Sequence, residues 1–219
     1  MKGGIKEVGF TLVELLIVIA LIGVLAVALV ATLNPIEQVN KARDVKFKND
    51  AAEALAAIER YYATQGFYPW EDEVWGEGNG AEDDDDVGLT SRMPGLGVCY
   101  GTTYNAEVSG DCITSDNKGE LIETDELKAS FASKEPFAED VTDIDRLYLW
   151  RAANSTAVYI CFIPKASSNR KLTSNLYDLG ITTTPGGVPT QMEPVEDQAT
   201  LDSATWENAT NSFFKCVPE

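Results

Sequence analysis

The distribution of apolar and polar positions divides the chain early. From Leu15 to Leu33 nineteen consecutive residues carry no charge, close to the ~20 needed to cross the hydrocarbon core of a membrane as a helix. Between Glu7 and Glu37 the single charged residue is Glu14. Asn34-Pro35 interrupts the run, and a kink or local unwinding is expected there, because proline removes a backbone donor and clashes with the preceding turn. Helical patterning resumes at once in "IEQVNKARDVKFKNDAAEALAAIERYYATQG". Ile36, Val39, Ala52, Leu55, Ile58 and Tyr62 fall at three- and four-residue steps within each half, predicting an amphipathic helix with those residues on its core face. Gly66 supplies a stop and Pro69 follows it. Residues 10–65 thus predict one long helix, about 84 Å if unbroken.

Beyond it the pattern changes. "WEDEVWGEGNGAEDDDDVG" reads as an acidic, glycine-rich loop. "DRLYLWRAA" alternates Leu147 and Leu149 against Tyr148 and Trp150, while "TAVYICFIPK" is apolar on both faces, as in a central strand. The short "AANS" between them predicts an antiparallel hairpin. "ITTTPGGVPTQMEPVEDQ" reads as loop from its Pro and Gly content, and "NSFFKCV" as a last strand. The expected class is α+β: a long N-terminal helix whose first half is transmembrane and whose second half packs on one face of a small antiparallel sheet.

Charge refines this division. The net charge is −18, and residues 1–65 balance seven acids with seven bases, so the imbalance lies in residues 66–219, with 28 acids and 10 bases. A segment this acidic repels phosphate, which argues against direct nucleic-acid binding. With no histidine in the chain, His-based triads, histidine general bases and His-ligated metal sites are excluded. Cys99, Cys112, Cys161 and Cys216 show no C-x-x-C spacing. An even count behind an apolar export segment reads as two disulfides with three possible pairings. The favoured pairing joins Cys99 to Cys112 around a short loop, and Cys161 to Cys216, fastening the last residues to a buried strand.

One constellation carries function. Gly9-Phe10-Thr11-Leu12-Val13-Glu14-Leu15 ahead of a long apolar helix resembles the cleavage and methylation signature of type IV prepilins. "KARDVKFKND…IERYYATQGFYP" extends the likeness to pilins and the related type II secretion pseudopilins, over about the first third of the chain. The resemblance implies the type IV pilin fold, cleavage by a prepilin peptidase between Gly9 and Phe10, and N-methylation of Phe10. A nine-residue leader, residues 1–9, would be removed. It carries Lys2 and Lys6, and it departs from the family in having Glu7-Val8 where a basic or small residue often precedes the glycine. The resemblance further implies that Glu14 pairs with the amino terminus of a neighbouring subunit, with Phe10 and Glu14 as the assembly residues. The physics agrees: a lone carboxylate in low dielectric is costly, whereas a paired one imposes register.

The expected organisation is leader 1–9, helix 10–65 (10–33 transmembrane and assembly, 36–65 amphipathic) and acidic head 66–219. The expected function is that of a structural subunit, not an enzyme, with no cofactor. It would polymerise with itself through head-to-tail, non-closing contacts of the N-terminal helices. Its other partners would be the prepilin peptidase, the inner-membrane pilus assembly machinery and, before assembly, the membrane. Lys2, Lys6 and the starting amine favour a cytoplasmic N-terminus, while Lys41, Arg43, Lys46 and Lys48 oppose it on a simple count. The family's insertion order favours N-in, and the basic cluster then reads as a solvated helical face or one meeting the acids of neighbouring subunits. The fibre would lie at the cell surface.

Alternatives remain open at this point. A minor pilin or a pseudopilin of a secretion or competence system would share the stalk, although subunits that cap a fibre often lack the glutamate. "LAVA" at Leu25–Ala28 resembles the end of a standard signal peptide, which would release a soluble secreted binding protein or enzyme. Asp83, Asp84, Asp85 and Asp86 form a weak calcium candidate without the alternating spacing of a binding loop. Asn154-Ser155-Thr156 and Asn208-Ala209-Thr210 fit the N-glycosylation pattern.

Overall fold

The computed structural model describes residues 9–32, 34–69, 87–90, 119–137, 141–151, 155–181 and 190–218. Cys99, Cys112, Asp83, Asp84, Asp85, Asp86 and Asn154 lie outside these residues. The chain divides into two compact units, residues 1–39 and 40–219. The first holds α1 (Leu12–Thr32) and the opening turn of α2 (Pro35–Gln65). The rest of α2 belongs to the second unit.

The interruption at Asn34-Pro35 has a local cause. The Asn34 Oδ1 accepts the Glu37 backbone N–H at 3.2 Å, and Pro35 takes the first helical position. An asparagine N-cap followed by proline is a helix start, since proline there has no hydrogen bond to lose. α2 ends where expected: Gly66 adopts φ 86° and its N–H reaches the Tyr62 carbonyl at 2.9 Å. Only glycine enters that left-handed region freely.

The second unit is built on six strands: β1 (Val87–Thr90), β2 (Leu147–Arg151), β3 (Val158–Phe162), β4 (Leu176–Asp178), β5 (Glu193–Pro194) and β6 (Phe214–Val217). Their order is β1-β2-β3-β6-β4-β5, with antiparallel neighbours throughout. The predicted hairpin is present, Leu149 opposite Ile160 and Tyr148 opposite Cys161. β3 lies inside the sheet, as its two-sided apolar pattern requires. β5 is a two-residue correction to a segment read wholly as loop. β1 likewise corrects the acidic segment read as loop, since its first two residues, Val87 and Gly88, close that segment, and β4, three residues long, had no prior signal.

Alternation along β2 and β3 feeds two clusters. Leu147, Leu149, Ile160 and Phe162 pack with Phe47, Ala51, Ala54, Leu55 and Ile58 of α2. Tyr148 and Cys161 point the other way, into a cluster with Leu179, Ala209, Phe214 and Cys216. Both faces of the central strands are therefore covered, as the two-sided apolar pattern of β3 requires.

The buried face of α2 also differs from the expected one. Leu55 and Ile58 are buried, but Ile36, Val39, Ala52 and Tyr62 are exposed. The face that packs on the sheet runs through Arg43, Asp44, Phe47, Asp50, Ala51, Ala54, Leu55, Ile58 and Tyr61. Arg43, read as part of a solvated basic face, is buried, and Asp44 beside it is 2% exposed. The Arg43 guanidinium donates to the carbonyls of Ile163 (3.0 Å) and Ile144 (2.9 Å), meets Asp145 at 2.7 Å, and stacks 3.9 Å over the Phe47 ring. Asp44 accepts from the backbone N–H groups of Lys165 (2.8 Å) and Ala166 (3.0 Å) and from Asn169 Nδ2 (2.8 Å). Two adjacent helix residues thus satisfy the backbone at the end of β3 and at the turn before β2.

Magnitudes rank these contacts. Removing one partner of such a buried, hydrogen-bonded charge pair costs about 3–5 kcal/mol. The exposed Lys46–Glu135 pair, at 3.2 Å, belongs to a class worth about 0–1 kcal/mol. Lys134 is intermediate, its ammonium 2.7 Å from Asp50, in contact with Glu53, and 4.0 Å over the Phe131 ring.

Cys161 and Cys216 form a disulfide between directly opposed residues of β3 and β6. It closes a sequence separation of 55 residues, for which restriction of the unfolded chain is worth about 4 kcal/mol. The double variant Cys161→Ala/Cys216→Ala should lose stability of that order in chemical denaturation of the detergent-solubilised chain. A loss below about 1 kcal/mol would place the stabilisation in strand pairing instead.

Asp145 yields a pH prediction. Burial works to raise its pKa, but hydrogen bonds from Lys165 and Thr142 and the charges of Arg43 and Lys165 hold it below the ordinary aspartate value of 3.8. A carboxyl lowered in the folded state contributes stability that is complete above that value and is lost as pH falls beneath it, through the folded-state pKa. Asp145→Asn should therefore be less stable than the parent at neutral pH, and the difference should shrink in acid unfolding titrations below pH 3.8.

Candidate functional site

The N-terminal segment brings the predicted cleavage and assembly residues into one short stretch. Gly9 and Phe10 are exposed and outside any helix, Phe10 with 76% of its surface accessible. α1 starts at Leu12, and its first hydrogen bond runs from the Leu15 N–H to the Thr11 carbonyl at 3.3 Å. The Gly9–Phe10 peptide bond therefore lies clear of the helical ladder, in the open backbone that an endopeptidase needs. The chain itself places no steric demand for glycine at position 9: a Cβ there meets nothing within 4 Å. Any preference for glycine is then a property of whatever recognises the site.

Glu14 has a partner that the sequence reading missed. The Thr11 backbone N–H donates to Glu14 Oε2 at 3.0 Å, and the Thr11 hydroxyl donates to the same oxygen at 2.8 Å. In return the Glu14 N–H donates to Thr11 Oγ1 at 3.3 Å. This is a capping box, in which threonine at the N-cap and glutamate three residues on satisfy each other and the orphan amides of the first turn. The signal was present in "TLVE", which fits the S/T-x-x-E pattern. Loss of such a cap costs about 0.5–2 kcal/mol in helix stability. The carboxylate also sits where the positive end of the helix dipole favours a negative charge.

The rest of α1 is apolar all round. Leu12–Val30 is 19 residues of which none is buried within the structure. At ~1.5 Å per residue this spans about 28 Å, against about 30 Å for a bilayer's hydrocarbon core. Length and composition fit membrane anchoring. Among the described residues no group of three or more acidic or cysteine side chains is placed to hold a metal ion. Asn208 is exposed, and its Oδ1 caps a short turn by accepting the Asn211 N–H at 3.0 Å.

Comparison with known proteins gives one positive result. The family described as the prokaryotic N-terminal methylation motif matches residues 9–30. No curated protein and no solved structure matches the chain. The matched residues run from the glycine of the expected cut, through Glu14, to the end of the apolar span. Residues 9–30 thus carry the prepilin signature shared by type IV pilins and pseudopilins, and the apolar helix, the helix that follows it and the antiparallel sheet are consistent with the α+β fold of type IV pilins.

Proposed function

We propose that this protein is a structural subunit that polymerises into an extracellular type IV pilus-like fibre after removal of its leader and methylation of its new amino terminus. The observation that carries this reading is the placement of Glu14: a single, capped carboxylate in the first turn of an unburied apolar helix, five residues after the motif glycine. Capping α1 returns about 0.5–2 kcal/mol, whereas a carboxylate in a spanning segment costs up to about 2.5–3.5 kcal/mol on insertion scales, so the cap by itself gives a plain membrane anchor little reason to keep the charge. In a bundle of such helices it becomes a register mark.

The steps follow from the segment's chemistry. A prepilin peptidase cuts between Gly9 and Phe10, and the freed Phe10 amine is methylated. The chain stays in the cytoplasmic membrane through α1 until the assembly machinery moves it into the fibre. There α1 exchanges lipid for the α1 helices of other copies, and the Glu14 carboxylate meets a neighbour's amino terminus. The acidic residues of 66–219 keep the outer surface hydrated.

Intact mass and N-terminal sequencing of the chain from whole cells and from sheared surface material test the reading. The expected mature chain begins at Phe10, carries one added methyl and is present in the sheared fraction. A processed chain confined to the membrane would favour the pseudopilin or minor-pilin alternative. A soluble chain beginning near Leu29 or Thr32 would overturn the reading.

Two variants sharpen it. Gly9→Val should insert to the parent's level but keep its leader, since nothing in the chain opposes the added side chain. Glu14→Ala should be cut and methylated as usual yet fall at least about tenfold in sheared material, the effect expected when a buried charge loses its contact. Equal fibre yields from Glu14→Ala and the parent would remove Glu14 from assembly.

A further inference from the structure

We propose that Lys134 and Asp50 are the two ends of an intramolecular isopeptide cross-link, an amide formed between their side chains with Glu53 as the proton carrier. The inference stands on the second unit alone and does not depend on the fibre reading above.

Three side chains from two elements meet at one point. Asp50 and Glu53 lie one turn apart on α2, hence on one side of it. Lys134 closes the short turn Ala129–Ser133, at a sequence separation of 84 from Asp50. Its Nζ lies 2.7 Å from Asp50 Oδ1 and also touches Glu53 Oε2. The Phe131 ring, 4.0 Å from the same nitrogen, covers one side of the pair. Exposure grades the three: the side chain of Asp50 is 7% exposed, that of Lys134 27% and that of Glu53 52%. The amine and the carbon it would attack are thus the more buried members, and the carboxylate at the solvent edge is the base.

Asp50 is poorly placed to keep a negative charge. Among the described residues its Oδ2 is buried and accepts no hydrogen bond, and Phe47, Ala51 and Ala54 beside it on α2 belong to the core. Desolvation of a buried ion pair can exceed the attraction within it. Condensation removes both charges and leaves Oδ2 as the carbonyl oxygen of a neutral amide, whose burial costs less than that of a carboxylate. In bulk water the same reaction is disfavoured, because both ions are well hydrated and must first meet. Here folding holds the contact, and well-oriented intramolecular partners reach effective concentrations of about 10⁵–10⁸ M.

The reaction needs no other reactant. Burial works to lower the Lys134 pKa, but hydrogen bonds and charges from Asp50 and Glu53 hold it above the ordinary lysine value of 10.5. The starting group is therefore the ammonium, with three protons. One passes along the 2.7 Å contact to Asp50 Oδ1. The freed Nζ lone pair attacks Asp50 Cγ, and the N–C bond forms. Glu53 takes a second proton from the nitrogen and delivers it to Oδ1, the Cγ–Oδ1 bond breaks, and Oδ1 leaves as water. Glu53 ends ionised as it began, in the part of a general base within hydrogen-bond reach.

Mass spectrometry of the full chain, recovered from cells, denatured and reduced, tests this. The parent should be lighter by one water than the sequence of the recovered form requires. Trypsin should release residues 49–60 joined to residues 129–146, because an acylated Lys134 is no longer a cleavage site. Lys134→Arg keeps a cation beside both carboxylates, and Glu53→Gln keeps the lysine and the aspartate. Both variants should have full mass and release residues 49–60 as a free peptide. A parent chain at full mass would overturn the proposal, and no folding defect in a variant can blur that result. A water loss that persists in Lys134→Arg would overturn it too, since the loss must then come from another site. Condensation of Glu53→Gln to the parent's extent would overturn the role given to Glu53.

Discussion

An apolar helix that buries nothing within its own chain must find apolar surroundings elsewhere. None of the 19 residues of Leu12–Val30 is buried, and a fully buried Leu, Ile or Val side chain is worth about 1.5–3 kcal/mol over an exposed one. Left in water, the segment would forgo tens of kcal/mol, more than the whole stability of an ordinary domain, about 5–15 kcal/mol. Lipid and a bundle of like helices both meet this demand. The proposed function requires passage from one to the other, and for that reading the open backbone at Gly9 and Phe10 and the capped carboxylate of Glu14 are the relevant features.

The second unit answers a different constraint. A short sheet ends in loops whose backbone groups need partners, and α2 supplies them from two adjacent residues. Arg43 takes the carbonyls of Ile144 and Ile163, and Asp44 takes the amides of Lys165 and Ala166. These contacts lie over 100 residues apart in the chain, and each would leave an unpaired buried group if lost. Together with the disulfide across β3 and β6, they hold the centre of the sheet from two sides. Weak surface ion pairs such as Lys46–Glu135 add little by comparison.

In α2, Phe47, Ala51, Ala54, Leu55 and Ile58 form the packed stripe, whereas the exposed apolar residues Ile36, Val39, Val45 and Ala52 share no single face: at about 100° per residue Val45 lies opposite Ile36. Periodicity counts apolar side chains but does not say which of them meets the sheet. The packed stripe is rich in alanine, which brings the helix axis close to the strands and leaves room for Phe162 to meet Phe47 edge-on, with ring centroids 6.1 Å apart.

The sequence by itself determined what is local or periodic: the glycine before the apolar span, the span's length, the stop at Gly66, the β2–β3 hairpin and the last strand. A glycine in the left-handed region, a run long enough for a bilayer and an alternation with period two each impose their structure through neighbours a few residues away. The Thr11–Glu14 box was equally local and could have been read from four letters. Tertiary structure alone decided that Arg43 and Asp44 go inside, that Ile36 and Val39 stay out, and that β4, β5 and β1 extend the sheet. Strands this short gain order only from the strands already beside them. A buried ion pair is tolerated only where distant carbonyls and amides converge on it, and neither condition is written in a local window of sequence.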